Sequence, residues 1–396
     1  MMVNQIKHTN ESQCVKSVEL FSGIGGFRLA CDGLGIETVW ANDIDPLSCQ
    51  VYADAFGADT IAQGDIRELH DRVPPHDLLT AGFPCQPFSS AGKKLGIRDS
   101  RGTLFQEIVQ ILERHSPQWF VLENVKRLLT MEQGDHFATI LLALSELDYF
   151  VEWRLLNATF FGLPQNRQRV VIVGTRMSDI SSAKVSLATL NDLSSTIRHD
   201  LFGLQNYATW RDLTRHKKKF PTWGLCYMGR FYCSELEAFS EAKDLPTLAS
   251  VLEENPPAEF FMDETTRERI KASVFVNRLV DGVRILYNQN GGARMGYTVF
   301  GTDGIAPTLT ASHSRHYERY EVGPRYRRLT NIEYARLQGF PDNHCSVASE
   351  FNQYILYGNA VPVPLAKWAI AQVVLARGLH VRTLEPIAYS QMSLGL

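Results

Sequence analysis

The chain has 396 residues, 44% hydrophobic and 21% charged, which allows one large core or two moderate ones. A net charge of −3 excludes nucleic-acid binding through bulk positive charge, so any such surface must be a local patch. Seven cysteines without a CxxC pair exclude a disulfide framework and point to reduced thiols in a cytoplasm, and no apolar run approaches the roughly 20 residues of a membrane span.

Residues 1–12 are polar, lack a signal-peptide core and are expected to form a frayed tail. A strand over 15–21, interrupted by Glu19, runs into Ser22-Gly23-Ile24-Gly25-Gly26-Phe27 and a helix that stops near Gly33 and Gly35. A second strand over 38–41 ends at Asn42-Asp43-Ile44-Asp45, followed by a helix to about residue 55. A third, over 60–62, ends at Gly64-Asp65-Ile66. Asp77-Leu78-Leu79-Thr80-Ala81 reads as a buried strand leading into Gly82-Phe83-Pro84-Cys85-Gln86-Pro87-Phe88-Ser89. Residues 102–114 read as a helix, 119–122 as a strand ending at Glu123-Asn124-Val125, and 135–147 as another helix. Two more strands lie over 151–155 and 170–173. This alternation predicts an α/β fold with a mostly parallel, doubly wound sheet. Such sheets bind ligands at the carboxyl ends of their strands, where the polar clusters named above fall.

Gly23-x-Gly25 opens like a dinucleotide fingerprint, but Arg28 stands where the third glycine would be, which disfavours a pyrophosphate site. Asp43 lies 20 residues beyond Gly23, the spacing at which a carboxylate meets a ribose diol. Asp65 is placed to accept from an exocyclic amine. Taken singly, each aspartate also has the alternative reading of a helix cap. Together they outline a pocket for a nucleoside without phosphates, of which S-adenosylmethionine is the obvious member. Cys85 sits between two prolines, each of which fixes its own φ and restricts the residue before it. The local string suits a nucleophile and a small buried core thiol equally well.

With these stretches assembled, the chain resembles the bacterial DNA (cytosine-5)-methyltransferase family. Phe21-Ser22-Gly23-Ile24-Gly25-Gly26-Phe27 is similar to its cofactor turn, and Pro84-Cys85-Gln86-Pro87-Phe88-Ser89 to its nucleophile segment. Glu123-Asn124-Val125 matches its acidic segment and Gln165-Asn166-Arg167-Gln168-Arg169-Val170 its arginine segment. Arg328-Leu329-Thr330 through Arg336-Leu337-Gln338-Gly339-Phe340-Pro341 and Gly358-Asn359-Ala360-Val361-Pro362 match the last two blocks. Ile44 replaces a common aromatic, and Ala360 a common serine.

The resemblance implies a Rossmann-like methyltransferase domain over 1–177, an irregular, mainly-β target recognition domain over 178–345, and a return to the catalytic domain over 346–396. It implies transfer of a methyl group from S-adenosyl-L-methionine to C5 of cytosine in duplex DNA, leaving S-adenosyl-L-homocysteine, with no metal. Cys85 would add to C6, aided by its neighbours Pro84 and Gln86. Glu123 would protonate or hydrogen-bond N3, and Arg169 would hold O2, with Arg167 orienting. Phe21, Ser22, Gly23, Gly25, Gly26, Phe27, Asp43, Ile44, Asp65, Ile66, Pro84, Asn359 and Ala360 would bind the cofactor.

A target cytosine inside a duplex must be flipped out for chemistry on its ring. The Gly-rich, basic stretch after Cys85, with Ser89, Lys93, Lys94, Arg98 and Arg101, is expected to close over the DNA. Beyond Gly174 the alternation is lost. Arg215-His216-Lys217-Lys218-Lys219 reads as a solvated basic surface or a phosphate contact. Loops carrying Arg294 and Arg315 are expected to enter a groove, and Pro307-Thr308-Leu309-Thr310 resembles the family's Thr-Leu element. Arg315, Arg319, Arg325, Arg327 and Arg328 are expected to form the local basic patch. The expected partner is double-stranded DNA, met by a cytoplasmic monomer with no membrane contact. A cognate restriction endonuclease is a genetic partner. The alternatives are a tRNA cytosine-5 methyltransferase on the same fold, a catalytically silent DNA-binding regulator and, least favoured, a dinucleotide oxidoreductase.

Overall fold

A computed structural model describes residues 14–84, 104–177, 184–188, 207–236, 245–288, 298–309, 311, 318–375 and 379–380. Strands β1 (Lys16–Leu20), β2 (Glu37–Asp43), β3 (Ile61–Gln63), β4 (Leu78–Gly82) and β5 (Trp119–Val125) lie in the order β3-β2-β1-β4-β5, all parallel. Beyond β5 the sheet becomes antiparallel through β7 (Gln168–Arg176) and β6 (Tyr149–Asn157). The sheet is therefore mixed: parallel in the half that begins the chain, alternating in the other.

Helices cover both faces. The helix Leu104–His115 buries Phe105, Ile108, Val109, Ile111 and Leu112, an apolar stripe at helical spacing. With the helix Asp135–Ser145 it closes one core against β1, β4, β5 and β6. On the other face Phe27 and Ala30 of the helix Gly26–Asp32 share a core with Leu365, Ala366, Ala369, Ile370 and Val373 of the helix Val363–Val374. The chain thus returns to the sheet after its second half.

The two-residue strand β8 (Lys184–Val185) stands apart from the large sheet. The large sheet runs further than residue 177. Strands β9 (Arg211–Asp212), β10 (Trp223–Tyr227) and β11 (Arg230–Ser234) extend it through β10 pairing with β6. These residues fall within the stretch expected to be a separate recognition domain. Their anchor is Glu152 on β6, which accepts from the Trp223 indole at 2.7 Å and from Ser186 and Leu187 N–H at 2.6 and 2.9 Å. A second, five-stranded sheet contains β12 (Val274–Val280), β13 (Val283–Asn288), β14 (Thr298–Phe300), β15 (Arg319–Val322) and β16 (Arg325–Arg327). It packs on the helices Asn331–Gln338 and Glu350–Asn359. The short β17 (Leu379–His380) pairs with β8.

Glu19, the charge that interrupts the first strand pattern, is wholly buried on β1. One of its oxygens accepts from Phe27 N–H at 3.2 Å, and the other lies 3.2 Å from the Tyr52 hydroxyl. It thereby ties β1 to the helix after the glycine turn. Burial pushes its carboxyl from 4.5 up to about 8. Glu152 is pushed to about 7 by the same cause. A carboxyl raised on folding binds more protons folded than unfolded, so its stabilisation is complete below about pH 4.5 and is lost as pH rises through the folded value. We expect urea unfolding to show falling stability from about pH 5 to 8. Glu19→Gln should flatten that slope and stabilise the protein at pH 8.5 by on the order of 1–3 kcal/mol. An unaltered slope in the variant would refute this origin.

Candidate active site

The chain leaves β1 toward β2 and leaves β4 toward β5, although β1 and β4 are neighbours with Leu20 beside Ala81. Their carboxyl ends therefore flank the reversal point of the sheet, where a crevice opens. The turn after β1 alternates through left-handed conformations at Phe21 (φ 53°), Gly23 (φ 52°) and Gly25 (φ 83°). Phe21 has a side chain in that region, a strained choice that places the first turn residue on the rim. Asp43, at the end of β2, pins the turn by accepting from Gly23 N–H at 2.7 Å, and its other oxygen accepts from Asp45 N–H at 2.9 Å. Burial pushes the Asp43 carboxyl up, opposed by these amides.

The edge of this turn is built for a ligand. A Cβ on Gly23 would meet only open space. The buried Ser22 hydroxyl has no hydrogen-bond partner, and Ile44 is 64% exposed beside Asp43. An unspent hydroxyl, a carboxylate and an uncovered apolar side chain around open space suit a nucleoside. Asp65 caps the helix Ile66–Leu69 and pairs with Arg67, which holds its carboxyl below the usual range. It is thus the helix cap that the sequence offered as one alternative.

Three expected cofactor contacts face elsewhere. The Phe27 ring is in the core, because the helix it begins turns that position onto the sheet. Ile66 is buried. Gly26 packs on the last block so closely that a Cβ would lie 2.7 Å from the Val361 carbonyl. The turn is also held from below by His344, whose Nε2 lies 2.6 Å from the Ile24 carbonyl.

Next along the rim, Gly82 is in register with Glu123. The Glu123 carboxyl leans over the end of β4, and Arg169 Nε lies 2.6 Å from its Oε1. Arg169 reaches this point because β7 runs antiparallel to β5, which brings its first residues to the carboxyl end of β5, with Val125 opposite Arg169. Asn124 sets the exit of β4: its amide donates to the Phe83 carbonyl at 2.9 Å while its own oxygen accepts from Val125 N–H. Pro84, exposed, is the last described residue here. Cys85, Gln86, Ser89, Lys93, Lys94, Arg98, Arg101, Arg294 and Arg315 lie outside the described residues.

Arg167 has a different role from Arg169. It is 1% exposed and donates to the carbonyls of Leu309 at 2.8 Å and of Gly358 and Ala360 at 2.9 Å each. Burial, then the neighbouring Arg169 charge, pushes its pKa well down. Gln165, fully buried, accepts from Leu309 N–H at 3.1 Å and donates to the Leu337 carbonyl at 2.9 Å. The Thr308 hydroxyl donates to the Asn166 carbonyl. Thr308 and Leu309 therefore clasp the arginine segment, and the Leu309 side chain is wholly buried. Asn359 is exposed at the end of the helix Glu350–Asn359, while Ala360 is buried against the clasp.

The expected basic patch is smaller than the sequence suggests. Arg327 is buried and paired with the buried Glu333 at 2.6 Å, which caps the helix Asn331–Gln338. Arg325 stacks over the Phe261 ring at 4.1 Å. In the run 215–219, Arg215 and Lys217 pair with Asp212 and Asp135 at 3.6 and 3.7 Å. The sequence reading assigned no role to Glu19, Asn124, Gln165 or His344. Glu19 carried a signal as a lone charge within an apolar strand, and Asn124 and Gln165 as members of matched family blocks.

A family model described as C-5 cytosine-specific DNA methylase matches residues 15–375. The chain is 34% identical over 370 residues to the type II methyltransferase M1.ScrFI of Lactococcus lactis subsp. cremoris, covering 91% of this chain and 78% of that protein. It is 30% identical over 363 residues to the type II methyltransferase M.HhaI of Haemophilus parahaemolyticus, covering 89% and 92%. Among solved structures, the Dnmt2 methyltransferase of S. pombe aligns with a TM-score of 0.59 at 17% identity, over 91% of this chain and 99% of that one. The methyltransferase EhMeth of Entamoeba histolytica aligns with a TM-score of 0.57 at 16% identity, over 92% and 99%. These two likenesses are of fold. With the family model spanning nearly the whole chain and matching the blocks that line the rim, the chain belongs to the C-5 cytosine-specific DNA methylase family.

Proposed function

We propose that this protein methylates C5 of a flipped-out cytosine at a specific sequence in duplex DNA, using S-adenosyl-L-methionine and no metal. The observation that carries the reading is the Glu123–Arg169 pair, hung over the end of β4 where the Pro84-Cys85 segment begins. A guanidinium suits a ring carbonyl, and an adjacent carboxyl suits a ring nitrogen and its exocyclic amine. Together they match the O2, N3 and N4 edge of cytosine.

The Cys85 thiolate adds to C6, which makes C5 nucleophilic; once C5 carries the methyl group, loss of its proton to a base breaks the Cys85–C6 bond and restores the ring double bond. Glu123 donates at N3 and Arg169 holds O2 as negative charge enters the ring. When bound, S-adenosyl-L-methionine supplies an electrophilic methyl group on sulfur and leaves as S-adenosyl-L-homocysteine. Phe21, Ser22, Gly23, Asp43, Ile44 and Asn359 would hold it. Arg167 and Gln165 position the arginine segment against the last block. Residues 1–177 and 346–396 then serve catalysis, and much of 178–345 serves recognition.

The masking of one cytosine per site would protect host DNA from a cognate restriction endonuclease. The protein is proposed to act as a cytoplasmic monomer. The decisive experiment is mapping 5-methylcytosine in DNA from cells expressing the protein. We expect methylation in one sequence context only. Unmodified DNA alongside 5-methylcytosine in tRNA would replace this reading with the RNA one.

A further inference from the structure

A cavity of about 840 Å³ lies away from the rim, between the helix Glu264–Lys271, the small sheet and the start of the helix Glu350–Asn359. Arg269, Arg319 and Arg328 line it, with Glu350 the one carboxylate in its lining. Among the described residues, Arg269 and Arg328 hydrogen-bond to neutral oxygens, those of Thr265, Thr266 and Glu259, and neither enters an ion pair. Phe261, buried Tyr354 and Phe351, itself 48% exposed, make the apolar wall. Arg325 lies over the Phe261 ring just beside it. In a protein of net charge −3, this is a concentrated positive surface.

The Arg269 and Arg328 guanidiniums, beside aromatic rings, suit a sugar–phosphate chain: guanidiniums fork onto phosphate oxygens and the rings pack on deoxyribose. Position fixes which chain. The helix Glu350–Asn359 has the cavity at its first turn and Asn359 beside the catalytic clasp at its last. Its ten residues span about 15 Å, so the cavity stands apart from the rim but within reach of the same duplex. We propose that this cavity binds the DNA backbone on the flank of the flipped cytosine, as a phosphate anchor separate from the loops that read bases. The inference rests on DNA being the substrate.

The test is anisotropy titration of a duplex carrying the mapped site, across a salt series, with the full chain. In Arg269→Gln/Arg328→Gln we expect about tenfold weaker binding near 0.1 M salt. The slope of log affinity against log salt should shrink by nearly two, about 0.9 per lost phosphate contact. The corresponding double lysine variant should restore most of that slope. Arg269→Gln alone, at an exposed position, should shrink the slope by about 0.9 and covers the case in which the double variant does not fold. An unchanged slope in folded variants overturns the proposal. So does tight binding of free dCMP or tripolyphosphate that the same changes abolish while duplex binding persists, since the cavity would then serve a free anion. A changed slope in a protein that makes no 5-methylcytosine would sink the methyltransferase reading and leave the anchor standing.

Discussion

Cys85→Ser lowers methyl transfer by about 10⁴-fold or more while cofactor and DNA binding persist; this is the largest effect expected of any single change. Serine keeps the size of the side chain but has no accessible anion at neutral pH, whereas a thiol needs only a modest pKa shift to supply one. Without addition to C6, C5 stays a poor nucleophile whatever else the rim holds. The measurement is single-turnover transfer of labelled methyl groups to a duplex containing the mapped site. A serine variant within tenfold of the parent would rule out covalent catalysis. A second arm uses DNA with 5-fluorocytosine at the target, which should trap the protein on DNA through Cys85, because fluorine does not leave as a proton does. Recovery of free, active protein after one turnover would count against the adduct.

Glu123→Gln should slow the same step by about 10²- to 10⁴-fold, with little change in the concentration of DNA needed for half-maximal rate. Glutamine keeps the length and one acceptor, so its contact with Arg169, now 2.6 Å from carboxyl to guanidinium, can survive in neutral form. What it loses is the proton that must reach N3 as the thiolate adds. The split between rate and binding is the informative readout. A purely structural ion pair would lower stability and weaken DNA binding without a selective loss in the chemical step. If unfolding midpoint and half-saturation move and the single-turnover rate does not, Glu123 is an anchor for Arg169 and the proton comes from elsewhere.

How much of this was legible in the sequence differs from one element to the next. The parallel half of the sheet was readable because its strands are short apolar runs closed by glycine or a carboxylate, and the helices between them show their period. Glu19 shows the limit of that reading. It looked like an interruption, and its meaning required Phe27 and Tyr52 to arrive from the two following helices. Arg167 and Arg169 stand two residues apart in one family block, yet the fold sends them to different places. In the structure β7 begins only at Gln168; Arg169 meets Glu123, and Arg167 is drawn into carbonyls up to 193 residues away in sequence. The basic run of arginines after residue 314 looked uniform, yet Arg327 is neutralised in the interior by Glu333. Charge pattern alone carries no information about burial.

The sequence by itself determined the order of strands and helices in the first half, the family blocks and the residue types available for the chemistry. Local periodicity and turn chemistry act over a few residues and are written in the chain directly. The tertiary structure decided that β7 runs backwards and delivers Arg169 to the carboxyl rim, and that residues 211–234 extend the catalytic sheet. It decided too that Thr308 and Leu309 clasp the arginine segment, and that three arginines converge on one cavity. These are pairings between segments tens to hundreds of residues apart. They are set by which buried donors and apolar faces can be satisfied together, a condition that exists only once the whole chain has closed on itself.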